Sequence, residues 1–289
     1  MFKGLGTALI TPFDKDFNVD YKSLKKICHY QVEGGADAII VLGTTGESPV
    51  IDIDEREKII STVLEAVNGR ADIIIGTGTN DTKDVVELNK IAEKLKANGL
   101  LIVNPYYNKG TQESLLLHYK YISERTELPI ILYNVPSRTG MNMLPETALK
   151  IHQECKNVAA IKEASGNISQ IASLISMKPE DFAVYSGNDD QTLPIMALGG
   201  AGIISVFSNA YPKHLKKMTD SLLKNDLISA RKYQNQYLKM MNALFTETSP
   251  MPIKYVMSKL GLCENILRLP LIPVSKKTEK LLDEAMQKM

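Results

Sequence analysis

"DAIIVLGTTGESPVIDIDEREKIISTVLEAVNG" runs from Asp37 to Gly69 and spells out one complete structural unit. It opens on a continuous apolar run, Ala38 to Leu42, as a strand covered on both faces requires. A polar stretch, Gly43 to Ser48, follows the run. From Asp54 the apolar residues recur at helical spacing between charged ones, and Asn68-Gly69 is a helix stop. The order is strand, loop, helix.

That order repeats along the chain. Apolar runs recur as "TALITPF", "DAIIVLG", "DIIIGTG", "GLLIVNP", "PIILYNV", "VAAIKEA", "FAVYSGN" and "GIISVFSN", eight in all. They are spaced by roughly 20 to 35 residues, the size of one βα unit. Eight such units predict an α/β fold, a (β/α)₈ TIM barrel, for which about 250 residues is typical. A doubly wound open sheet also alternates strand and helix, but its usual strand count is about five or six. Beyond Lys224 the strands stop, and "DLISARKYQNQYLKMMNALF", "PMPIKYVMSKLGL" and "SKKTEKLLDEAMQKM" all read as helices. The expected organisation is a barrel over residues 1–224 and a C-terminal helical appendage over 225–289.

Composition narrows the function. The formal charge is +1, which gives no electrostatic basis for binding nucleic acid or a membrane surface. Three separated cysteines argue against a disulfide framework, and neither they nor the four histidines have metal-ligand spacing. The opening "MFKGLGTALITPFDKD" lacks a cationic region before a long apolar core, so no signal peptide is expected. No apolar run approaches the roughly 20 residues of a membrane span, and the expected location is cytoplasmic.

In a barrel, chemistry sits where strands end, and polar residues gather there. Strand two ends in "GTTGES", strand four in "NPYYN", strand five in "YNVPSRTG", strand seven in "SGNDD". Strand six carries Lys162 at the end of "NVAAIK". Each residue also has a plainer reading. "GTTGES" resembles a phosphate loop but lacks the P-loop spacing. Tyr133 fits a core aromatic with a satisfied hydroxyl, Arg138 a surface ion pair, and Lys162 a lysine that snorkels to solvent. Their joint placement favours one pocket holding Lys162, Tyr133 and Thr44.

Together "GTTGES", "NPYYN", "YNVPSRTG", "IKEASGN" and "LRLPL" resemble the dihydrodipicolinate synthase family, within the superfamily of pyruvate-dependent class I aldolases. The resemblance runs from Phe2 to the C-terminal helices. It implies condensation of pyruvate with L-aspartate-4-semialdehyde in lysine biosynthesis, with no cofactor and no metal. It implies a homotetramer built from two tight dimers. It makes Lys162 the Schiff-base lysine and Tyr133 the general acid/base. Thr44 and Tyr107 become proton-relay partners, with Tyr107 reaching into a neighbouring subunit's site. Thr45, Gly187 and Ile204 fall on the pyruvate pocket, and Arg138 on the contact to the second substrate's carboxylate. The chemistry fits these types. An imine needs a neutral amine, and apolar walls disfavour the ammonium. An arginine fork suits a carboxylate.

Related aldolases, such as N-acetylneuraminate lyase or a 2-keto-3-deoxy sugar acid aldolase, would share Lys162 and Tyr133, and the segment after the tyrosine, which supplies Arg138 here, is what separates them from the synthase reading. A non-catalytic barrel protein would be expected to lack the lysine or the tyrosine. Asn104 and Ser249 depart from the family's usual residues, with consequences expected for packing or loop detail only. In lysine-sensitive members an effector lies near positions matching Ser48, Pro49, Ile53, Arg56, Asn80, Asp84 and Tyr106. Ile53 and Arg56 stand where those members usually carry histidines, so weak inhibition by L-lysine is expected.

Overall fold

The computed structural model describes residues 1–289. Eight strands, β1 Gly4–Ala8, β2 Ala38–Val41, β3 Asp72–Gly76, β4 Gly99–Val103, β5 Ile130–Asn134, β6 Val158–Glu163, β7 Ala183–Ser186 and β8 Gly202–Ser205, pair in parallel. β8 closes onto β1, completing the barrel. Helices α1 Tyr21–Glu33, α2 Ile53–Val67, α3 Thr82–Lys94, α4 Gln112–Ser123, α5 Pro136–Thr139, α6 Pro145–Glu154, α7 Ile168–Met177, α8 Thr192–Ala197 and α9 Pro212–Leu223 alternate with the strands, α5 being a single turn after β5. Three more follow: α10 Leu227–Ala243, α11 Met251–Lys259 and α12 Lys276–Met286. No helix is long and apolar enough to cross a membrane.

The continuous apolar runs are explained by burial on both faces. Alternate residues Ala38 and Ile40, Ile131 and Tyr133, Ala160, Tyr185 and Ile204 fill the barrel interior. Their neighbours Ile39, Val41, Ile130, Leu132, Ile161, Val184 and Ile203 pack outward into the large core beneath the helices. Period-two alternation is present, but both sets are apolar. The opening unit behaves as its sequence requires. Asp52 and Glu55 form a reciprocal capping box at the start of α2, and Asn68 ends the helix in the left-handed region at φ 48°.

One strand falls earlier than its sequence predicts. The expected run was "TALITPF", but β1 covers Gly4–Ala8, and Leu9–Phe13 form buried loop. Its two glycines disguise β1, because glycine is depleted in strands. Gly6 is required there: a Cβ on it would come within 2.6 Å of the Phe2 ring. That ring stacks on Tyr185, with centroids 4.4 Å apart.

Candidate active site

Strand register sets the centre of the site. Tyr133 on β5 lies directly opposite Lys162 on β6. Both point into the barrel, and the Lys162 Nζ lies 4.4 Å from the centroid of the Tyr133 ring. Lys162 is buried, yet it takes part in none of the molecule's ion pairs. A buried lysine without a paired carboxylate is costly, so its position calls for a function. Gly187 makes room for it. A Cβ at residue 187 would sit 3.1 Å from Lys162 Cε and 2.6 Å from the Ala164 side chain.

A cleft of about 550 Å³ opens above this pair, lined by Thr44, Thr45, Tyr133, Arg138, Lys162, Gly187 and Val206 among others. Its far wall is the segment Phe245–Ser249 between α10 and α11. A second cavity of about 220 Å³ shares Thr44, Tyr133 and Arg138 and continues to Ser48, Pro49, Arg56 and Tyr106. Six of the predicted residues thus meet in one cleft. Ile204 is fully buried in the barrel interior and lies below the cleft lining, which Val206 supplies instead. Tyr107 joins neither cavity: its ring is 91% exposed, on a backbone held at φ 69°. Of the remaining effector positions, Ile53 and Asp84 are exposed, and Asn80 lines neither cavity.

The expectation that Ser249, like Asn104, bears on packing or loop detail only is corrected for Ser249. Ser249 lines the cleft, and its carbonyl accepts a hydrogen bond from Arg138 Nη2 at 3.0 Å, which fixes the guanidinium at the rim. Asn104 donates to Asn134 Oδ1 at 3.1 Å and accepts from the Tyr119 hydroxyl at 3.0 Å. It therefore belongs to a polar layer directly behind the reactive pair.

In that layer, Asn134 and Glu163 are the outward-facing neighbours of Tyr133 and Lys162, opposite one another in register. Asn134 Nδ2 donates to Glu163 Oε1 at 2.5 Å, and the Ser165 hydroxyl donates to Oε2 at 2.6 Å. These bonds lock the two strands that carry the inward pair. Burial pushes the Glu163 carboxyl up to about 7, against the opposing pull of its hydrogen bonds. The folded chain then holds a proton that the unfolded chain releases near 4.5. Stability from this group is fully present below that value and is lost as pH rises through about 7. A Glu163→Gln variant is expected to lose about 2–3 kcal/mol less stability than the parent between pH 5 and pH 8 in denaturant titrations. Parallel pH profiles for the two proteins would refute it.

On β7's far side, Asp189 is buried and accepts from the Ser205 hydroxyl at 2.5 Å and from the Val206 and Phe207 amides at 3.2 and 3.0 Å. Burial pushes its carboxyl up, and the charge of Lys162 is among the influences opposing that rise. Asp189 thereby holds the turn that brings Val206 to the cleft. No role falls to Asn134, Glu163 or Asp189 from the sequence, although Asn134 and Glu163 stand next to Tyr133 and Lys162 and Asp189 lies within "SGNDD".

A closed (β/α)₈ barrel with an amine and a phenol paired at its mouth is a lyase architecture of the class I aldolase type. The chain belongs to the dihydrodipicolinate synthetase family, which matches residues 1–289. It is 50% identical over 285 residues to the 4-hydroxy-tetrahydrodipicolinate synthase of Thermotoga sp. strain RQ2, covering 98% of this chain and 97% of that one. The crystal structure of dihydrodipicolinate synthase from Thermotoga maritima superposes with a TM-score of 0.98 at 49% identity, covering 100% of this chain and 98% of the other. A monomeric dihydrodipicolinate synthase variant superposes equally well, at 0.98 and 48% identity, covering 99% and 96%.

Proposed function

We propose that this chain is a 4-hydroxy-tetrahydrodipicolinate synthase, condensing pyruvate with L-aspartate-4-semialdehyde in the cytoplasm. The observation that carries the reading is Lys162 paired with Tyr133 on neighbouring strands, with Arg138 lining the same cleft. The neutral Lys162 amine attacks the keto carbon of pyruvate, and water leaves as the imine forms. Thr45 and the backbone at Gly187 receive the pyruvate carboxylate. The imine draws electrons from the adjacent methyl group, which loses a proton to give an enamine. The enamine carbon attacks the aldehyde, while Arg138 holds the second substrate's carboxylate in its fork. The new molecule's own amine then displaces Lys162 and closes the ring. Tyr133 and Thr44 pass the protons, together with Tyr107 of a second subunit.

Assembly follows from the same reading. An aromatic side chain that is 91% exposed on a left-handed backbone is an expensive arrangement for a free surface. It suits a ring inserted into a partner's site, within a homotetramer made of two tight dimers. The direct test is turnover of pyruvate with aspartate semialdehyde, run beside cleavage of N-acetylneuraminate. Condensation without sialate cleavage is expected, and the reverse pattern would overturn the proposal.

In the same assay L-lysine is expected to inhibit weakly. Arg56 is buried, with Nη2 donating to the Ser48 carbonyl at 2.5 Å and Nε to the Ile51 carbonyl at 3.3 Å. Its fixed positive charge faces the cavity that a cationic effector would enter. Ile53 offers no hydrogen bond. Half-inhibition at submillimolar L-lysine would contradict this reading of the pocket.

A further inference from the structure

Two basic residues of stretches quoted above have no part in the chemistry so far: Lys254 in "PMPIKYVMSKLGL" and Arg268 in "LRLPL". Both meet Glu47, two residues beyond Thr45 in "GTTGES". Glu47 sits between two single turns, Thr44–Gly46 and Ser48–Val50, in the left-handed region at φ 54°. Its side chain is buried, and Oε1 lies 2.5 Å from the Lys254 Nζ, which is also buried. Glu47 Oε2 accepts from the Arg268 amide at 3.1 Å. Lys254 donates in turn to the Ile266 carbonyl at 2.8 Å and lies 4.0 Å from the centroid of the Phe13 ring. The Arg268 guanidinium holds both Glu55 oxygens at 2.6 Å, and also the carbonyls of Val50 at 2.8 Å and Phe17 at 3.0 Å.

From the barrel side the turn has one further side-chain tie, the Thr11 hydroxyl donating to the Gly46 carbonyl at 2.7 Å. The charged ties to residues 47–55 come from Lys254 and Arg268, and from Arg56 on α2, which reaches the Ser48 and Ile51 carbonyls beyond the Glu47 bend. A fully buried ion pair is a poor device for stability, because desolvation offsets most of its attraction. What it supplies is direction: an apolar pair of the same volume would fill the space but leave the turn free to shift.

The geometry points to Glu47, Lys254 and Arg268 as positioning residues that fix the Thr44–Thr45 turn, so that the segment after α10 sets the pyruvate end of the site. The inference rests on the reading of Thr45 as a contact to the pyruvate carboxylate. The same segment holds Arg138 through the Ser249 carbonyl, so it governs both substrate ends by separate contacts.

The test is a charge-free double variant, Glu47→Gln with Lys254→Met, set beside both single variants and Thr45→Val. Each single variant leaves one buried charge unpaired and is expected to melt lower. The double variant is expected to regain the melting temperature of the parent. Its KM for pyruvate is nevertheless expected to stay about tenfold raised, since displacements of an ångström or less are costly at a site. Its KM for the aldehyde should stay within about twofold, because Arg138 keeps its own tie. A double variant that regains both the melting temperature and the pyruvate KM would overturn the inference. Should it fail to fold, Arg268→Lys carries the same decision: it keeps the charge and the backbone contact but loses the fork to Glu55, and an unchanged pyruvate KM would sink the idea. Thr45→Val separates the premise from the inference. If it leaves the pyruvate KM unmoved, the reading of Thr45 falls and takes the inference with it. If it raises that KM while the double variant does not, the positioning role alone falls.

Discussion

Lys162→Ala is expected to fold normally and to lose condensation activity by about 10³-fold or more, because the covalent route closes without its nucleophile. Stability should hold or rise. The replaced amine is a buried polar group that takes part in no ion pair, so its removal relieves a desolvation cost that offsets the lost packing of its stem beside Gly187. Loss of activity together with an unchanged or raised melting temperature separates a chemical role from a structural one. Borohydride reduction in the presence of pyruvate supplies the positive half of the experiment. The parent chain should carry a reduced pyruvyl adduct on Lys162, and the variant should carry none. The neighbouring strand matters to the result. Tyr133 faces Lys162 across the β5–β6 pairing, so a misregistered barrel would part the two and also lose the adduct. Recovery of the adduct on any other lysine would remove Lys162 from the centre of the mechanism.

The sequence and the structure agree where local pattern dictates the outcome. Runs such as "DAIIVLG" and "PIILYNV" could be read as strands because both faces are buried, and the βα spacing then left few topologies. The positions of Lys162, Tyr133 and Arg138 followed, since strand ends at the mouth are where side chains converge. What escaped was contact between distant parts of the chain. Glu47 looks like an ordinary loop carboxylate, yet its Oε2 accepts from an amide 221 residues away. Ser249 reads from sequence as packing or loop detail, because its role depends on a backbone carbonyl whose position no residue type reveals. β1 was misplaced for a related reason. Its glycines disfavour a strand locally, and only tertiary neighbours explain them: the Asp37 carboxylate and a φ of 100° at Gly4, and the Phe2 ring at Gly6. Propensity and period report on neighbours in sequence; ties across the mouth are tertiary.

Mixing two inactive proteins should restore activity, if Tyr107 works in a partner's site. Tyr107→Phe alone is expected to reduce turnover by about 10²-fold, the lower range for removing a group that relays protons. The fold should be unaffected, since the ring is exposed and its hydroxyl supports nothing within the chain. In a mixed dimer of Tyr107→Phe with Lys162→Ala, one site combines an intact Lys162 with the other chain's intact Tyr107. The second site has neither. Equal mixing makes half the dimers mixed, so about a quarter of the parent activity should return in a two-fold symmetric dimer. The mixture must be unfolded and refolded together, and the mixed species verified by mass. The left-handed backbone at Tyr107 supports this outcome. Its neighbours hold the bend through Asn108 N–H to the Tyr106 carbonyl at 2.9 Å and Lys109 N–H to the Tyr107 carbonyl at 3.0 Å. A strained loop that presents a tyrosine to solvent is costly unless something receives the ring. Verified mixed dimers without recovered activity would place the relay within one chain. A parent protein that sediments as a monomer while fully active would do the same, and would leave the exposed ring of Tyr107 without a partner.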